Sequence, residues 1–244
     1  MRRFIIILVL SISSIAAAQE QPLLAVAVFV KGNVYFQRGK ELKPVKLRTI
    51  FHVKDTVITK KGRVNIQIGK GAIIRMTRFT SVKMTRLLKI SNSQKIDLDL
   101  QKGQLYSKII KKLDKDSNFN VKTPTVTAAV RGTEFIVSEV PPGTKAYDIS
   151  KGVYVNVGSV AVNSEEGDES AVVNQGEQLD TSTAAGYKKQ ILTSYMKEKM
   201  RIFHELKLMK EKQYEMLREQ HEKNRNLIDQ IKDDVQQKKG EVGE

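Results

Sequence analysis

The sequence predicts a mainly β protein, in which a multi-stranded all-β domain is followed by a long amphipathic α-helix. From Ala25 to Leu179, short runs in which every second residue is apolar recur, and this is the period of a half-buried strand. Glycines separate many of these runs, as expected for turns. Beyond Gly186, glycine and proline are absent until Gly240 and apolar residues recur every three or four positions, which is typical of an amphipathic helix.

Residues 1–18 are predicted to be a secretory signal peptide. Arg2 and Arg3 supply a basic start, an apolar stretch begins at Phe4, and Ala16 to Ala18 are small residues of the kind that signal peptidase recognises. The alternative is an uncleaved anchor, but the apolar run is shorter than the ~20 residues that span a bilayer. We therefore expect a periplasmic or secreted protein.

The chain contains no cysteine. Disulfides, a lipid-modified cysteine, thiolate zinc sites and thiol catalysis are therefore excluded. The stability of the exported protein has to come from a packed core.

The β domain is predicted to span residues 25–179 and to contain ten to fourteen short strands. Its clearest alternating runs end at Ile68, Leu100 and Val157. Polar residues between the apolar positions are expected to face water; they are Asn65, Gln67, Asp97, Asp99 and Asn156. Turns are expected at Gly32, Gly62, Gly103, Gly152 and Gly176. Because these glycines recur at irregular intervals, a solenoid-like arrangement is a candidate but is not established.

Basic residues are concentrated in the first half of the β domain. From Lys31 to Lys122 there are 23 Lys and Arg against 6 Asp and Glu, whereas residues 123–186 contain 3 against 9. These charges are interpreted either as solvated strand faces that partly neutralise each other, or as a basic face for an anionic polymer, a membrane surface or an acidic protein. The candidate contacts are Lys60, Lys61, Arg63, Arg75, Arg78, Lys83 and Arg86. Nucleic acid is not expected, because no motif that alternates aromatic and basic residues is present.

Residues 187–238 are predicted to form a C-terminal amphipathic helix or weak coiled coil. The apolar seam is regular from Leu192 to Met209, but Gln213 and Gln220 occupy the seam before Leu227. Polar seam residues weaken a coiled coil. We expect the first half of the helix to pack on the β domain or on a partner, and the second half to project, fray or self-associate.

Few residues are suited to catalysis. His52, His204 and His221 have no companion at metal-ligand spacing and are expected to be surface histidines. Asp97 and Asp99 would share the wet face of one strand, without the different environments that an acid/base pair needs. We therefore predict a protein that is not an enzyme and that has no cofactor and no metal site.

The stretch from Thr123 to Phe135 resembles the signature of the FecR-domain family, in which a Thr-Pro segment leads through small apolar residues to Arg-Gly-Thr-Xaa-Phe. The resemblance extends across most of the predicted β domain, although Lys54 stands where the family usually has a turn glycine. It implies an exported all-β domain that recognises another macromolecule. The best-known members carry a cytoplasmic sigma-regulating segment before a transmembrane helix, and we do not expect that segment here because only Met1 to Arg3 precede the signal-like stretch.

The residues that match the family motif are Thr123, Pro124, Arg131, Gly132, Thr133, Glu134 and Phe135. We expect them to hold the fold, with Gly132 at a bend, Phe135 in the core and Arg131 paired with Glu134. Direct contact with a partner is the alternative.

Two hypotheses about function follow. The first is a non-enzymatic binding or scaffolding module of the bacterial cell envelope that docks a protein partner, with self-association through the C-terminal helix as an option. The second is a binder of an anionic envelope polymer or membrane surface, working through the basic half from Lys31 to Lys122. Salt distinguishes them, because contacts between exposed charges are screened.

Overall fold

A computed structural model describes residues 20–109, 116–130, 132–141, 143–144, 146–165, 167, 169–182, 186–204 and 211–241. The predicted signal peptide and Arg131 lie outside these residues, as do the side chains of residue 211 and residues 237–241. The strands are β1 (Glu20–Pro22), β2 (Ala25–Lys31), β3 (Val34–Arg38), β4 (Glu41–Pro44), β5 (Ile50–Phe51), β6 (Thr56–Thr59), β7 (Arg63–Ile68), β8 (Ala72–Met76), β9 (Ser81–Ile90), β10 (Ser93–Ile109), β11 (Asn118–Lys122), β12 (Val126–Val130), β13 (Glu134–Glu139), β14 (Gly152–Val157), β15 (Ser159–Ser164), β16 (Ser170–Asn174), β17 (Glu177–Asp180) and β18 (Lys188–Ile191). The helices are α1 (Ser194–His204) and α2 (Glu211–Glu241).

The strands form two open sheets. Sheet A runs in the order β4, β3, β6, β9, β10, β11, β12, β15 and β16. The short strand β1 also pairs with β9, further along the edge that β6 occupies. Sheet B runs in the order β5, β2, β7, β8, β10, β13, β14, β17 and β18. Among the described strands, only β10 and β11 pair in parallel. The architecture is therefore two layers of largely antiparallel sheet rather than a coil of parallel repeats.

Strand β10 belongs to both sheets. Its residues up to Lys102 pair with β9 in sheet A, and its residues from Gly103 pair with β13 in sheet B. Gly103 has a φ of +98°, and a Cβ there would lie 2.6 Å from the Cα of Thr80. Gly103 is therefore a bend inside one long strand, and not a turn between two strands as the sequence predicted.

The core lies between the sheets, where apolar side chains from both layers form one buried cluster. Val82 and Leu98 reach it from sheet A, and Ile66 and Ile74 reach it from sheet B. Phe119 and Phe135 meet edge to face in the same core, with ring centroids 6.2 Å apart. Alternation along each strand supplies these inward side chains.

Sheet B is buried on its outer face as well. Asn65 and Gln67, which the alternating pattern placed in water, are 7% and 1% exposed. Tyr106, Ile136 and Tyr154 point away from the central core and are also buried. The prediction of a wet outer face is wrong for this sheet, because the C-terminal segment covers it.

The mainly β prediction with a C-terminal helix is confirmed. The described residues hold 18 strands rather than ten to fourteen, since strands such as β5 are too short to show a period. Residues predicted to begin the C-terminal helix instead form β18, and the helical structure starts at Ser194. Neither described helix is apolar enough over sufficient length to cross a membrane.

Lys54 adopts a left-handed backbone conformation, with a φ of +75°. This conformation is strained for a residue with a Cβ and relaxed for glycine. Its exposed side chain is not needed for the turn, because the backbone bond from Lys54 N to Met84 O, 2.7 Å long, does not involve it.

We expect Lys54→Gly to raise the free energy of unfolding by about 0.5 to 1 kcal/mol, since relief of the left-handed strain exceeds the backbone entropy that glycine loses on folding. Urea denaturation measures the change. Lys40→Gly is the control, because Lys40 is an exposed turn lysine without a positive φ; it should be neutral or destabilising. Equal effects of the two substitutions would contradict the strain at Lys54.

Candidate functional site

The helix α1 docks on the outer face of sheet B through an apolar contact. Met196 and Met200, one helical turn apart, are buried against Ile136 and Tyr154. Leu192, just before the helix, is buried in the same cluster. These apolar side chains exclude water from the face that the strands present.

An aromatic stack extends the contact at the end of α1. The rings of Phe203 and Tyr106 are parallel within 16°, with centroids 3.5 Å apart. The guanidinium of Arg75 lies 4.9 Å from the centroid of Phe203 and donates a 2.8 Å hydrogen bond to Asn65. Burial, and then the charge of Arg63, lower the pKa of Arg75 from its ordinary value. Arg75 therefore supports the helix instead of facing an external polymer.

Glu134 ties the last turn of α1 to the sheet. Its carboxylate lies 3.0 Å from His204 Nδ1 and 3.2 Å from Lys108 Nζ, and it accepts a 3.1 Å hydrogen bond from Asn156. Lys108 also donates to the backbone carbonyl of His204. Burial raises the pKa of Glu134, but the bonds from His204, Lys108 and Asn156 outweigh it and leave the pKa below its ordinary value.

The beginning of α2 docks on the other end of sheet B. Tyr214 is buried with Leu24 and Val26, and its hydroxyl donates a 3.0 Å hydrogen bond to the carbonyl of Leu24. Leu217 packs against the same cluster. Glu215 forms an ion pair with Lys70 in the turn between β7 and β8. The expectation that the helical segment packs on the β domain thus applies to α1 and to the first turns of α2.

The remainder of α2 carries apolar side chains that nothing described covers. The exposed residues are Leu227, Ile228, Ile231 and Val235, and each is about half exposed, from 48% to 55%. We call these four residues the exposed stripe. In heptad terms, Ile228 and Val235 continue the position of Tyr214, and Ile231 continues that of Leu217. The helix face that docks on the sheet therefore runs on past it.

The seven predicted anionic contacts do not share one surface. Arg75 lies under α1, whereas Lys83 and Arg86 lie on β9 in sheet A. Arg86 is paired with Asp97, whose carboxylate also accepts a 2.9 Å hydrogen bond from Asn120. The other four are exposed; they are Lys60, Lys61, Arg63 and Arg78.

These four exposed residues come from two neighbouring turns and, in the case of Arg63, from the start of β7. Phe79, next to Arg78, donates a 2.9 Å backbone hydrogen bond to the carbonyl of Lys60. Arg63 also lies near an aromatic ring, 5.2 Å from the centroid of Phe29. Of the seven candidate contacts, these four therefore form a small basic surface where the two turns meet.

The first motif residues close a turn. The hydroxyl of Thr123 accepts a 3.0 Å bond from Val126 N, and Thr123 N donates a 2.7 Å bond to Val126 O. Pro124 is exposed in this turn between β11 and β12. Thr123 therefore closes this turn through its backbone and its side chain.

The later motif residues lie where the chain passes from sheet A to sheet B. Gly132 has a φ of +78°, and the carbonyl of Thr133 accepts a 2.9 Å bond from Ile109 N. Phe135 enters the core, and Glu134 holds α1. The predicted pairing of Arg131 with Glu134 lies outside the described residues.

The structure brings together two histidines that the sequence treated separately. His52, just after β5, and His221 on α2 have ring centroids 5.4 Å apart. Their separation in sequence concealed this contact, which depends on where α2 docks. No cluster of three or more His, Asp or Glu suited to a metal ion occurs within the described part of the chain.

The sequence analysis did not predict that α1 covers the outer face of sheet B, although the sequence contains a signal for a second buried face. Ile136 stands between Phe135 and Val137, and Tyr154 stands between Val153 and Val155. Uninterrupted apolar runs indicate strands that are buried on both faces.

Residues 55–161 match the family model described as FecR protein, which confirms the resemblance for this segment. Two crystal structures of a candidate anti-sigma factor from Parabacteroides distasonis ATCC 8503 are similar, at 17% identity and a TM-score of 0.42. The similarity covers 55% of this chain and 57% of that chain, so this chain spans little more than half of that protein. A similarity this low does not support the transfer of a function to this chain. The curated proteins contain no match to this sequence.

We expect Met200→Ala to lower the free energy of unfolding by about 2 to 5 kcal/mol, because the substitution leaves a cavity under α1. Met200 is 2% exposed, whereas Ile202 on the same helix is 55% exposed. The control Ile202→Ala should change stability by less than about 0.5 kcal/mol. Chemical denaturation of both variants measures the difference, and equal losses would show that α1 does not dock as described.

We expect Glu134→Gln to weaken α1 docking at neutral pH and to have less effect in acid. The pKa of Glu134 is lowered in the folded protein, so its carboxylate stabilises the fold above the ordinary carboxyl pKa, and this contribution is lost as the pH falls through the lowered value. Urea denaturation of wild type and variant between about pH 7 and pH 3 tests this. Glu198→Gln, which breaks an exposed pair with Arg201, is the control and should matter little at any pH. A difference for Glu134→Gln that does not change with pH would contradict the assignment.

Proposed function

We propose that this protein is a non-enzymatic binding module of the bacterial cell envelope, and that it docks a protein partner through the exposed stripe of α2. The FecR match over residues 55–161 supports a binding or regulatory role. The predicted signal peptide supports export. The observation that carries the proposal is the exposed stripe, which continues the face that α2 already uses to pack on sheet B.

The length of the stripe favours a different protein over a second copy of this chain. Ile228 and Val235 are one heptad apart, and the next position of the same seam toward the N-terminus is Asn224. Coiled coils of identical chains usually need three or more apolar heptads. A partner that brings its own apolar groove needs only these few side chains.

The charges beside the stripe indicate the chemistry of the partner. Arg225 and Lys232, seven residues apart, lie along one side of the seam. In an antiparallel pair of identical helices these cations would face each other and repel. We therefore infer a partner with acidic side chains on the side of its apolar contact that meets Arg225 and Lys232, whereas Asp234 lies on the other side of the seam.

The experiment that tests this function is photocrosslinking in intact cells. A photoreactive amino acid at Ile231 should yield one discrete adduct with another protein, because this side chain lies in the stripe. The same amino acid at Gln230, on another face of α2, is the control and should yield none. Adducts of equal intensity at both positions, or adducts only with a second copy of the chain, would overturn the proposal.

A substitution sharpens the same test. With the photoreactive group at Ile228, we expect Ile231→Asp to remove the adduct, because the introduced carboxylate would be desolvated against an apolar partner. Gln230→Asp adds the same charge outside the stripe and should leave the adduct in place. Loss of the adduct with both substitutions would indicate a general charge effect instead.

An anionic polymer or membrane surface bound through the small basic surface is the second candidate. It is favoured by the backbone bond that brings the turn of Arg78 to Lys60. Retention on envelope material that disappears between about 50 and 200 mM salt would support this candidate, since exposed charge contacts are screened over that range. Retention that persists would support the protein partner.

A further inference from the structure

A cleft of about 530 Å³ lies between the N-terminal strands and α2. Leu23, Phe51 and Leu87 lie on the strand side, and Tyr214, His221 and Arg225 lie on the helix side. A volume of 300 to 1,000 Å³ is the usual range for sites that hold small molecules. The docked helix therefore creates a concave site that neither element forms alone.

The strand side of the cleft is apolar. Pro22, Ile50 and Val53 line it with accessible apolar surface, next to buried residues of the core cluster between the sheets, Leu23, Phe51 and Leu87. Residues anchored in a packed core keep their positions when a ligand enters. The cleft therefore offers a preformed apolar surface for the body of a ligand.

The remaining lining is dominated by cations. Lys70, Lys89, Arg218 and Arg225 contribute to it, against two exposed carboxylates, those of Glu20 and Glu222. Just outside the lining, Glu215 pairs with Lys70 and, at 3.0 Å, with Arg218. Among the described residues, neither Arg225 nor Lys89 forms an ion pair with a carboxylate. These two cations are available to an anion.

Two neighbouring histidines, His52 and His221, line the cleft beside these cations. Burial lowers the pKa of His52, and the charges of Arg38, His221 and Arg225 lower it further while Asp55 opposes them. Burial also lowers the pKa of His221, with Arg225 and Arg38 adding to the effect and Glu222 opposing it. An anion placed beside these rings would favour their protonated forms and so raise both pKa values.

We propose that this cleft binds a small amphiphilic anion, with its apolar body against Pro22, Ile50 and Val53 and its acid group beside Arg225, His52 and His221. The acid group is a carboxylate or a phosphate, and a fatty acid and a single-chain phospholipid are two sources of this chemistry. This inference shares Arg225 with the flank of the proposed docking surface, but it does not depend on the exposed stripe, which lies further along α2.

Titration calorimetry with the purified protein tests the inference. Decanoate and decyl phosphate are the two amphiphilic probes, used below their micelle concentrations, and the tighter of the two identifies the acid group. Decanol and inorganic phosphate each lack one half of the required chemistry and should bind at least about tenfold more weakly. Lengthening the carboxylate chain should tighten binding by roughly fourfold for each added CH₂. Absence of saturable binding by both amphiphiles, or equal binding of inorganic phosphate, would overturn the inference.

Paired variants locate the site. Arg225→Gln should weaken binding by about tenfold, because it removes a charge-assisted contact. Lys232→Gln removes the same charge from the same helix, two turns beyond, and should leave the affinity unchanged. Lys89→Gln, on the opposite wall, should weaken binding without touching α2. If Lys232→Gln weakens binding as much as Arg225→Gln, the effect comes from net charge and the site assignment is wrong.

The pH dependence gives an independent readout. Binding should tighten as the pH falls from about 8 to 6, because the bound anion favours protonated His52 and His221. The double variant His52→Gln, His221→Gln should flatten this dependence and remove the proton uptake, which is measured by repeating the titration in buffers of different ionisation enthalpy. An unchanged pH profile in the double variant would overturn the role of the histidines.

Discussion

The structure depends on covering the outer face of sheet B. Tyr106, Ile136 and Tyr154 turn apolar or aromatic surface away from the central core, and in an isolated sheet this surface would face water. Burial of apolar area is the dominant favourable term in folding, at about 25 cal/mol per Å². The C-terminal helices supply that burial, so they are part of the folded unit and not an appendage to a finished β domain.

The extent of this covered face explains the two behaviours of α2. Where the helix lies on the sheet, Tyr214 and Leu217 are packed in an apolar cluster. Beyond it, Ile228 and Ile231 repeat the same spacing with about half of their surface exposed. The same side of the helix therefore serves intramolecular packing in its first turns and is available for association in its later ones. The cleft beside His52 and His221 forms at the junction between these two parts.

The family motif connects the two sheets to the helices. Gly132 and Thr133 lie between β12 in sheet A and β13 in sheet B, and the positive φ of Gly132 lets the chain make this crossing. Two residues further on, Glu134 binds Lys108 and His204 and so fixes the end of α1. The motif thus combines a backbone constraint with one charged contact, which fits a structural role for its described residues.

The sequence alone determined the fold class, because strand alternation and helical spacing are local properties that survive without knowledge of contacts. It also located the turns at Gly32, Gly62 and Gly176 and the family motif. It did not determine which strand faces contact water: Asn65 and Gln67 follow the same alternation as exposed residues but are buried on the sheet face where the C-terminal helices dock. The bend at Gly103, the placement of Arg75 under Phe203 and the meeting of His52 with His221 were likewise decided by tertiary structure. The two contacts join residues that are far apart in the chain, and the bend depends on which distant strands pair with β10. Pairing between distant segments leaves no periodic pattern in a single sequence.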